Sequence, residues 1–252
     1  MTARLENKIA IITGAANGMG AAFAAQFVHD GARVLIGDVD DSAGAELAGR
    51  LGDHAMFYRL DVTDPSSWNA AVAAANDAFG PVDVLVNNAG VSGDASRTAD
   101  IDDAAWNRTI AIDLTGTFNG VRAVIPQMID NGGGTIVNIS SAAGMAAASG
   151  VNAAYVAAKF GVRGLTKQIA VEYGAQGIRA NSVHPGAVRT ALTQALVDQL
   201  GPEFMEQFYA AVPMKRIAEI DEVVQPVVFL ASGESSFING TEIVIDGGLL
   251  AE

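Results

Sequence analysis

The chain has no cysteine, so disulfides and thiolate metal sites are excluded, and the redox compartment stays open. Its three histidines, His29, His54 and His184, are scattered, and no cluster of histidines and carboxylates has metal-ligand spacing. No catalytic metal is expected. Basic residues are few: 15 Lys and Arg stand against 28 Asp and Glu, a formal charge of −13. A surface of that sign repels polyanions, so neither nucleic acid nor an anionic membrane is an expected partner. The apolar runs are short and broken by Gly, Asp or Asn, well below the length of a membrane span. Met1 to Glu6 is polar and carries no apolar signal core, which points to a cytoplasmic protein. What the chain does have is apolar mass. Half of its 252 residues are hydrophobic, enough for a sizeable core in one large domain spanning 1–252.

That mass is distributed in a regular way. Short β-branched runs at Ile9 to Thr13, Val34 to Asp38, Ala55 to Leu60, Val82 to Asn87, Thr135 to Ser140, Arg179 to His184 and Glu242 to Ile245 read as strands. Ala-rich stretches between them, Gly18 to His29, Asp40 to Leu51, Asp64 to Phe79, Asp103 to Ile129, Asn152 to Tyr173 and Asp221 to Leu230, read as helices. Several strands are continuously apolar, as expected when helices cover both faces of a parallel sheet. The alternation predicts an α/β fold, a doubly wound parallel sheet with right-handed crossovers. From Gly186 to about Ile220 the rhythm breaks. Pro202, Phe204, Met205, Phe208, Tyr209, Pro213 and Met214 follow one another with no strand between them. An apolar insertion after a strand's carboxyl end suits a substrate lid over about 187–220.

The segment Thr13-Gly14-Ala15-Ala16-Asn17-Gly18-Met19-Gly20 lies between the first strand and the first helix. Glycines there allow a tight turn and a close backbone approach to a pyrophosphate, and the helix N-terminus adds N–H groups and a positive dipole end. Asp38 ends the second strand, where an acidic side chain accepts hydrogen bonds from the adenosine ribose hydroxyls. It would also repel a 2′-phosphate, and no Lys or Arg stands at Ala15, Ala16, Asn17 or Val39 to neutralise one. The expected cofactor is NAD.

Tyr155 and Lys159 are four residues apart near the start of a predicted helix, so they share a face. A free phenol titrates near ~10, and a neighbouring ammonium favours its phenolate. Ser141, at the end of the preceding strand, offers a second hydrogen bond to a substrate oxygen. With Asp61-Val62, Asn87-Asn88-Ala89-Gly90, Pro185-Gly186-Ala187-Val188-Arg189-Thr190 and Asn239-Gly240…Asp246-Gly247-Gly248, these motifs run the length of the chain. The sequence resembles the short-chain dehydrogenase/reductase family, and within it bacterial NAD-linked hydroxysteroid and secondary-alcohol dehydrogenases.

The resemblance implies a Rossmann-type fold and a role for each matched position. Tyr155 would be the general base in oxidation and the acid in reduction. Lys159 would favour its phenolate and hold the nicotinamide ribose, and Ser141 would polarise the reacting oxygen. Gly14, Asn17, Gly18, Met19 and Gly20 would cradle the cofactor phosphates, with Asp38 on the ribose. Asp61 and Val62 would flank the adenine, Asn88 and Gly90 would lie on the adenosine ribose side, and Val188 with Thr190 would meet the nicotinamide carboxamide. Ala89, Pro185 and Gly186 complete the implied cofactor set. Two departures stand out. Asp113 occupies the place of the family's usual Asn, whose backbone carbonyl serves a water in the proton relay; a buried carboxylate near Lys159 could shift both pKa values. Ser141 precedes Tyr155 by 14 residues, one more than the family's common spacing, which reads as a one-residue insertion around Met145 to Ser149. Ser140 is the alternative hydroxyl and makes the spacing worse.

His184 precedes a Pro-Gly turn and reads as a satisfied structural histidine or a pocket wall. Asp40-Asp41 and Asp102-Asp103 read as helix-start carboxylates. The pocket wall expected from Val91, Ala143, Met145, Val151, Val188, Leu192, Met205 and Phe208 is apolar, which favours a cyclic or aryl, steroid-like secondary alcohol or ketone. Arg97 and Arg189 are the residues that could instead pair with an anionic group. The resemblance further implies a homotetramer, and small residues on the helices from Asp103 and Asn152 permit close packing across a two-fold axis. Two rival readings are a 3-oxoacyl-carrier-protein reductase, disfavoured by Asp38 and the scarcity of basic residues, and a nucleotide-sensing protein that has lost turnover.

Overall fold

The computed structural model describes residues 3–147, 150–190, 193, 206 and 209–251. Seven strands form one sheet: β1 (Ile9–Thr13), β2 (Arg33–Asp38), β3 (Ala55–Arg59), β4 (Val84–Asn87), β5 (Gly134–Ile139), β6 (Ile178–Pro185) and β7 (Glu242–Ile245). Their order is β3-β2-β1-β4-β5-β6-β7, and every neighbouring pair is parallel. The helices that connect them are α1 (Gly18–His29), α2 (Asp41–Leu51), α3 (Pro65–Ala78), α4 (Asp103–Ile110), α5 (Gly116–Asp130), α6 (Ala153–Tyr173) and α7 (Ile220–Ala231). The fold is the Rossmann-type doubly wound α/β sheet predicted above.

Strand periodicity of two explains how one sheet feeds two cores. From β1 and β2, Ala10, Ile12, Val34 and Ile36 join Phe23, Phe27, Val223 and Val227 of α1 and α7. The alternate residues Ile9, Ile11 and Leu35 join Trp68 of α3 and Val124 and Met128 of α5. Both faces of β1 and β4 are therefore buried, and their sequences contain no polar alternation. The carboxylates expected to start helices do so: Asp40 Oδ1 accepts from Ala43 N at 3.1 Å and Asp102 Oδ1 from Ala105 N at 2.7 Å.

Two expectations need amendment. Asp103 to Ile129 is not one continuous α-helix, because a π-helical turn over Ala111–Thr115 separates α4 from α5. The wider turn places Asp113 fully inside while Ile112 and Leu114 are only half-buried. A polar side chain thus reaches interior donors that a regular heptad would have offered to an apolar one. Secondly, the 187–220 insertion is not free of strand pairing at its base. Val188 bridges Ala218 in parallel, with Arg189 N donating to Ala218 O and Ala218 N to Ala187 O, both near 3 Å. Most of the intervening segment, including Leu192, Phe204, Met205 and Phe208, lies outside the described residues.

Candidate active site

In a doubly wound sheet a crevice opens where the strand order reverses, outside the carboxyl ends of the strands. Here the reversal falls between β1 and β4, and most of the expected site residues follow strand carboxyl ends. After β1, Gly14 and Gly18 hold positive φ of 60° and 58°, which L side chains rarely adopt. A Cβ on Gly14 would stand 2.8 Å from Ala89 Cα, and one on Gly20 would meet Gly14 O, with Asn88 Nδ2 at 2.7 Å. Gly18 differs: a Cβ there would meet no protein atom within 4 Å, so its face of the turn is open to a ligand.

The turn is fixed from its neighbours. Asn88 Nδ2 donates to Thr13 O at 2.9 Å and Gly14 O at 3.0 Å, and Thr13 Oγ1 accepts from the N–H groups of Asn88 and Ala89, each at 3.0 Å. The Asn88 amide nitrogen is thereby spent on the loop. Asp38 Oδ2 accepts from Ala16 N at 2.9 Å and Oδ1 from Val39 N at 2.7 Å, pinning the tip of β2 to the glycine turn. A side chain satisfies a first-turn N–H of α2, α3, α4 and α6. In α1 the N-cap Asn17 makes no such bond, although Met19 and Gly20 follow in its first turn. Left-handed glycines, an open face and uncapped N–H groups fit the diphosphate of a dinucleotide.

Beside β3, Val62 is buried and its carbonyl accepts from Trp68 Nε1 and Asn119 Nδ2, each at 3.1 Å. Asp61 is exposed, its Oδ1 engaged by Thr63 N and Oγ1. Arg59 is a residue the sequence reading missed. Adjacency along the chain hides it, yet strand pairing sets it opposite Asp38. Its guanidinium donates to Val39 O and Asp41 Oδ2, both at 2.7 Å.

Between β5 and α6 lie the residues expected to form the acid–base set. Ser141 caps the short turn Ala142–Gly144, its Oγ accepting from Ala143 N at 3.1 Å. Ser140, the alternative hydroxyl, is by contrast buried, and its Oγ donates to Lys159 O at 3.0 Å. Residues 148 and 149 of the expected one-residue insertion lie outside the described residues. The turn is anchored by His184, which is buried, contacts Ser141 O at 3.0 Å through Nδ1 and meets Ser182 Oγ at 2.8 Å through Nε2. Burial pushes its imidazole pKa down. Of the two readings expected, a satisfied structural histidine or a pocket wall, these contacts match the first.

Asn152 starts α6, accepting from Ala154 N at 2.9 Å and donating to Asp94 at 3.1 Å. One turn on, Tyr155 is half-buried, and the Lys159 Nζ lies 5.4 Å from its ring centroid. Lys159 is buried and donates to Ile139 O at 3.2 Å. It also forms an ion pair with the fully buried Asp113, Nζ to Oδ2 at 3.2 Å. Burial opposes the ammonium, but the charges of Asp113 and Tyr155 outweigh it and raise the Lys159 pKa above the ordinary lysine value. Gly90 abuts this pair: a Cβ there would stand 3.0 Å from Asp113 Oδ2 and 3.3 Å from Lys159 Nζ.

At the end of β6, Gly186 N donates to Ile245 O at 2.9 Å after Pro185, and Val188 is buried. Thr190 Oγ1 accepts from Thr193 N at 3.2 Å. Arg189 is exposed and paired with Glu219 at 2.9 Å, and Arg97 is exposed. Of the expected pocket wall, Ala143 and Val188 are buried, and Val91, Met145 and Val151 are half-buried. Leu192, Met205 and Phe208 are not among the described residues. A separate cleft of about 690 Å³ opens at the amino ends of the strands, lined by Lys8, Asp83, Gly133, Arg179 and Phe237 among others. Its cations are already engaged: Lys8 pairs with Asp83 at 3.3 Å, and Arg179 donates to Thr135 Oγ1, Leu230 O and Ser232 O. Among the described residues no group of three or more His, Cys, Asp or Glu could hold a metal, and no helix is long and apolar enough to cross a membrane.

Comparison with known proteins gives the family. A family model described as Enoyl-(Acyl carrier protein) reductase matches residues 14–250. The chain is 46% identical over 255 residues to trans-4-hydroxycyclohexanecarboxylate dehydrogenase of Sinomonas cyclohexanicum, covering 97% of this chain and 93% of that protein. It is 44% identical over 254 residues to 3-alpha-(or 20-beta)-hydroxysteroid dehydrogenase of Mycobacterium tuberculosis, covering 100% and 92%. The crystal structure of gox2181 superposes with a TM-score of 0.95 at 33% identity, covering 100% of this chain and 98% of that one. The chain therefore belongs to the short-chain dehydrogenase/reductase family, whose dehydrogenases use nicotinamide cofactors, and it is an oxidoreductase.

Proposed function

We propose that the chain is an NAD(H)-dependent dehydrogenase that interconverts a hydrophobic cyclic or aryl secondary alcohol and its ketone. The observation that carries this reading is the pairing of Tyr155 with a buried Lys159 next to the Ser141 turn, in a sheet whose first turn suits a dinucleotide. The bound nicotinamide supplies the hydride acceptor or donor. The chain's own residues handle the oxygen and its proton. In oxidation the Tyr155 phenolate oxygen would take the hydroxyl proton while the carbinol hydrogen departs as hydride, with the C–H bonding pair, to the cofactor; in reduction the phenol would return that proton to the new alkoxide. Ser141 Oγ donates a hydrogen bond to the reacting oxygen, and the Lys159 ammonium stabilises the phenolate and holds the nicotinamide ribose. Gly14, Asn17, Gly18, Met19 and Gly20 hold the phosphates. Asp61, Val62, Asn88, Ala89 and Gly90 serve the adenosine side, and Pro185, Gly186, Val188 and Thr190 serve the nicotinamide.

Asp38 supports NAD over NADP, because a 2′-phosphate would meet its carboxylate while Arg59, the nearby cation, is held by Asp41. The ring alcohols named in the two relatives above support a cyclic substrate, as do the half-buried apolar residues around Ser141. Arg189, paired with Glu219, is not placed to recognise an anion. One cytoplasmic dinucleotide-binding domain with the 187–220 segment as lid, assembled as a homotetramer, completes the proposal. Exposed Trp106, Phe118 and Phe160 on α4, α5 and α6 support the assembly.

The test is a set of specificity constants for a cyclic, an aryl, a sugar and a 3-hydroxy-acid alcohol, each with NAD and with NADP, read as reduced-cofactor absorbance. The cyclic or aryl alcohol with NAD should lead, with NAD preferred by more than about tenfold, a difference of about 1.4 kcal/mol. Equal use of both cofactors would overturn the Asp38 reading, and best performance on the sugar or the acid would overturn the pocket reading.

A further inference from the structure

The buried carboxylate at position 113 has a geometry that a carboxamide cannot reproduce. Asp113 Oδ1 accepts from Val91 N at 2.8 Å, and Oδ2 faces the Lys159 Nζ at 3.2 Å. One neighbour donates an N–H and the other is a cation, so both terminal atoms at position 113 must present lone pairs rather than N–H groups. An Asn in either amide orientation would set its NH₂ against an N–H: against the ammonium in one, against the Val91 amide in the other. Oδ2 is buried and accepts no hydrogen bond among the described residues, so its charge is opposed by the Lys159 ammonium as an ion pair at 3.2 Å. Removing either partner of such a pair leaves an uncompensated interior charge. The surroundings are shaped to the pair. The π turn carries Asp113 inward, its carbonyl accepting from Thr117 Oγ1 at 2.8 Å, and Gly90 leaves the space a Cβ would fill beside Oδ2 and Nζ.

We propose that Asp113 is the dedicated counter-ion of Lys159, a positioning residue that keeps the ammonium charged and in place so that Tyr155, Lys159 and Asp113 work as one unit. The link to turnover rests on the function proposed for Tyr155 and Lys159; the counter-ion role itself does not. The other titratable groups around the pair are accounted for. Tyr155 faces Nζ from the same helix, and His184 of β6 is turned to Ser182 and Ser141. The Ala142–Gly144 turn offers no titratable side chain, α4 buries only Thr109 while Asp103 and Arg108 are exposed, and Arg163 is held by Glu242 of β7. Asp113 is therefore the only carboxylate among the described residues in contact with Nζ.

The experiment is a ¹⁵N NMR titration of the lysine side chains in the cofactor-free protein, wild type against Asp113→Asn. The chain has four lysines, Lys8, Lys159, Lys167 and Lys215, and loss of one signal in Lys159→Arg assigns the fourth. The proposal expects the Lys159 signal to titrate at clearly lower pH in Asp113→Asn, while the other three do not move. An unchanged Lys159 titration overturns it. In parallel, the specificity constant for alcohol oxidation should fall by about tenfold or more at the alkaline end of the profile, the equivalent of one pH unit of lost protonation, and much less at the acid end. A uniform loss at every pH indicates a merely structural role and overturns the link to turnover. Should Asp113→Asn fail to fold, Lys159→Met/Asp113→Asn decides. The double variant should fold where the single one does not, because neither charge is then buried alone, and failure of both overturns the proposal. If Lys159 shifts as expected but Tyr155→Phe retains full turnover, the counter-ion stands and the proposed acid–base function falls.

Discussion

The two ends of the sheet use similar residues to different effect. At the amino end, Arg179 is half-buried and its guanidinium donates to Thr135 Oγ1 and to three carbonyls, those of Leu230, Ser232 and Ile238. Lys8 is paired with Asp83, which also accepts from Ile9 N at 2.9 Å. Every one of these bonds ties together segments far apart in the chain. At the carboxyl end, polar groups stand with capacity to spare. The first turn of α1 has no side-chain cap, the Gly18 face is open, and Tyr155 and Ser141 are only half-buried. Lys159 is buried yet has a single carbonyl partner besides Asp113. A cleft's size therefore says less about function than whether the polar atoms around it are already committed.

The largest test of that contrast is at the carboxyl end. Tyr155→Phe should cut turnover by at least about 10², the low end for losing a general acid–base group. Cofactor binding and unfolding midpoint should stay close to wild type, since the phenol oxygen makes no hydrogen bond to another element among the described residues. Cofactor titration by fluorescence and chemical denaturation check this, and a large loss of stability would erase the distinction between the two ends. Arg179→Ala should behave oppositely. Leaving several buried acceptors without a donor should cost about 2 kcal/mol of folding stability, partly relieved by water in the open cleft. Turnover per folded molecule should be unchanged; a selective fall in kcat would mean that the amino-end cleft takes part in the reaction.

The smallest expected effect belongs to an exposed pair near the base of the 187–220 segment. Arg216 donates to both oxygens of Glu222 at 2.6 and 2.7 Å, and Glu219 N donates to Glu222 at 2.9 Å. These bonds hold the Glu222 carboxyl down to about 2, below the usual 4.5. A depressed carboxylate pKa contributes stability above its unfolded value that is lost as pH falls through the folded one. Glu222→Gln should therefore be slightly less stable than wild type at neutral pH, and the difference should shrink as pH drops from about 4.5 toward about 2. Denaturant titrations across that range measure it. A gap that widens on acidification would reverse the assignment, and a marked drop in turnover at neutral pH would give this surface pair a role in the site.

How much was legible in the sequence follows from the range of each signal. Strands and helices were readable because burial on both faces forces continuous apolar runs at β1 and β4, and because Asp40, Asp64 and Asp102 mark helix starts by local hydrogen bonds. The glycine turn, Asp38, and the spacing of Tyr155 and Lys159 are likewise local patterns. Longer-range facts were not readable. Arg59 reaches Val39 only through the β2–β3 register, and Ser140 is separated from Ser141 only by its bond to the carbonyl of Lys159. The break between α4 and α5 was missed because a π turn alters which face is inward without leaving a proline or glycine at Asp113.

The sequence by itself determined the alternation of elements, the two apolar layers and the glycine turn, since each depends on residues within a few positions of one another. The resemblance led us to expect a buried carboxylate near Lys159, but only the tertiary structure decided that Oδ1 of Asp113 takes the N–H of Val91, that Oδ2 faces the Lys159 ammonium, and that Gly90 makes room for them. An ion pair between residues 46 positions apart leaves no periodic trace along the chain. It exists because the sheet order brings the segment after β4 against the start of α6, where low exposure makes a charge costly alone and stable in company.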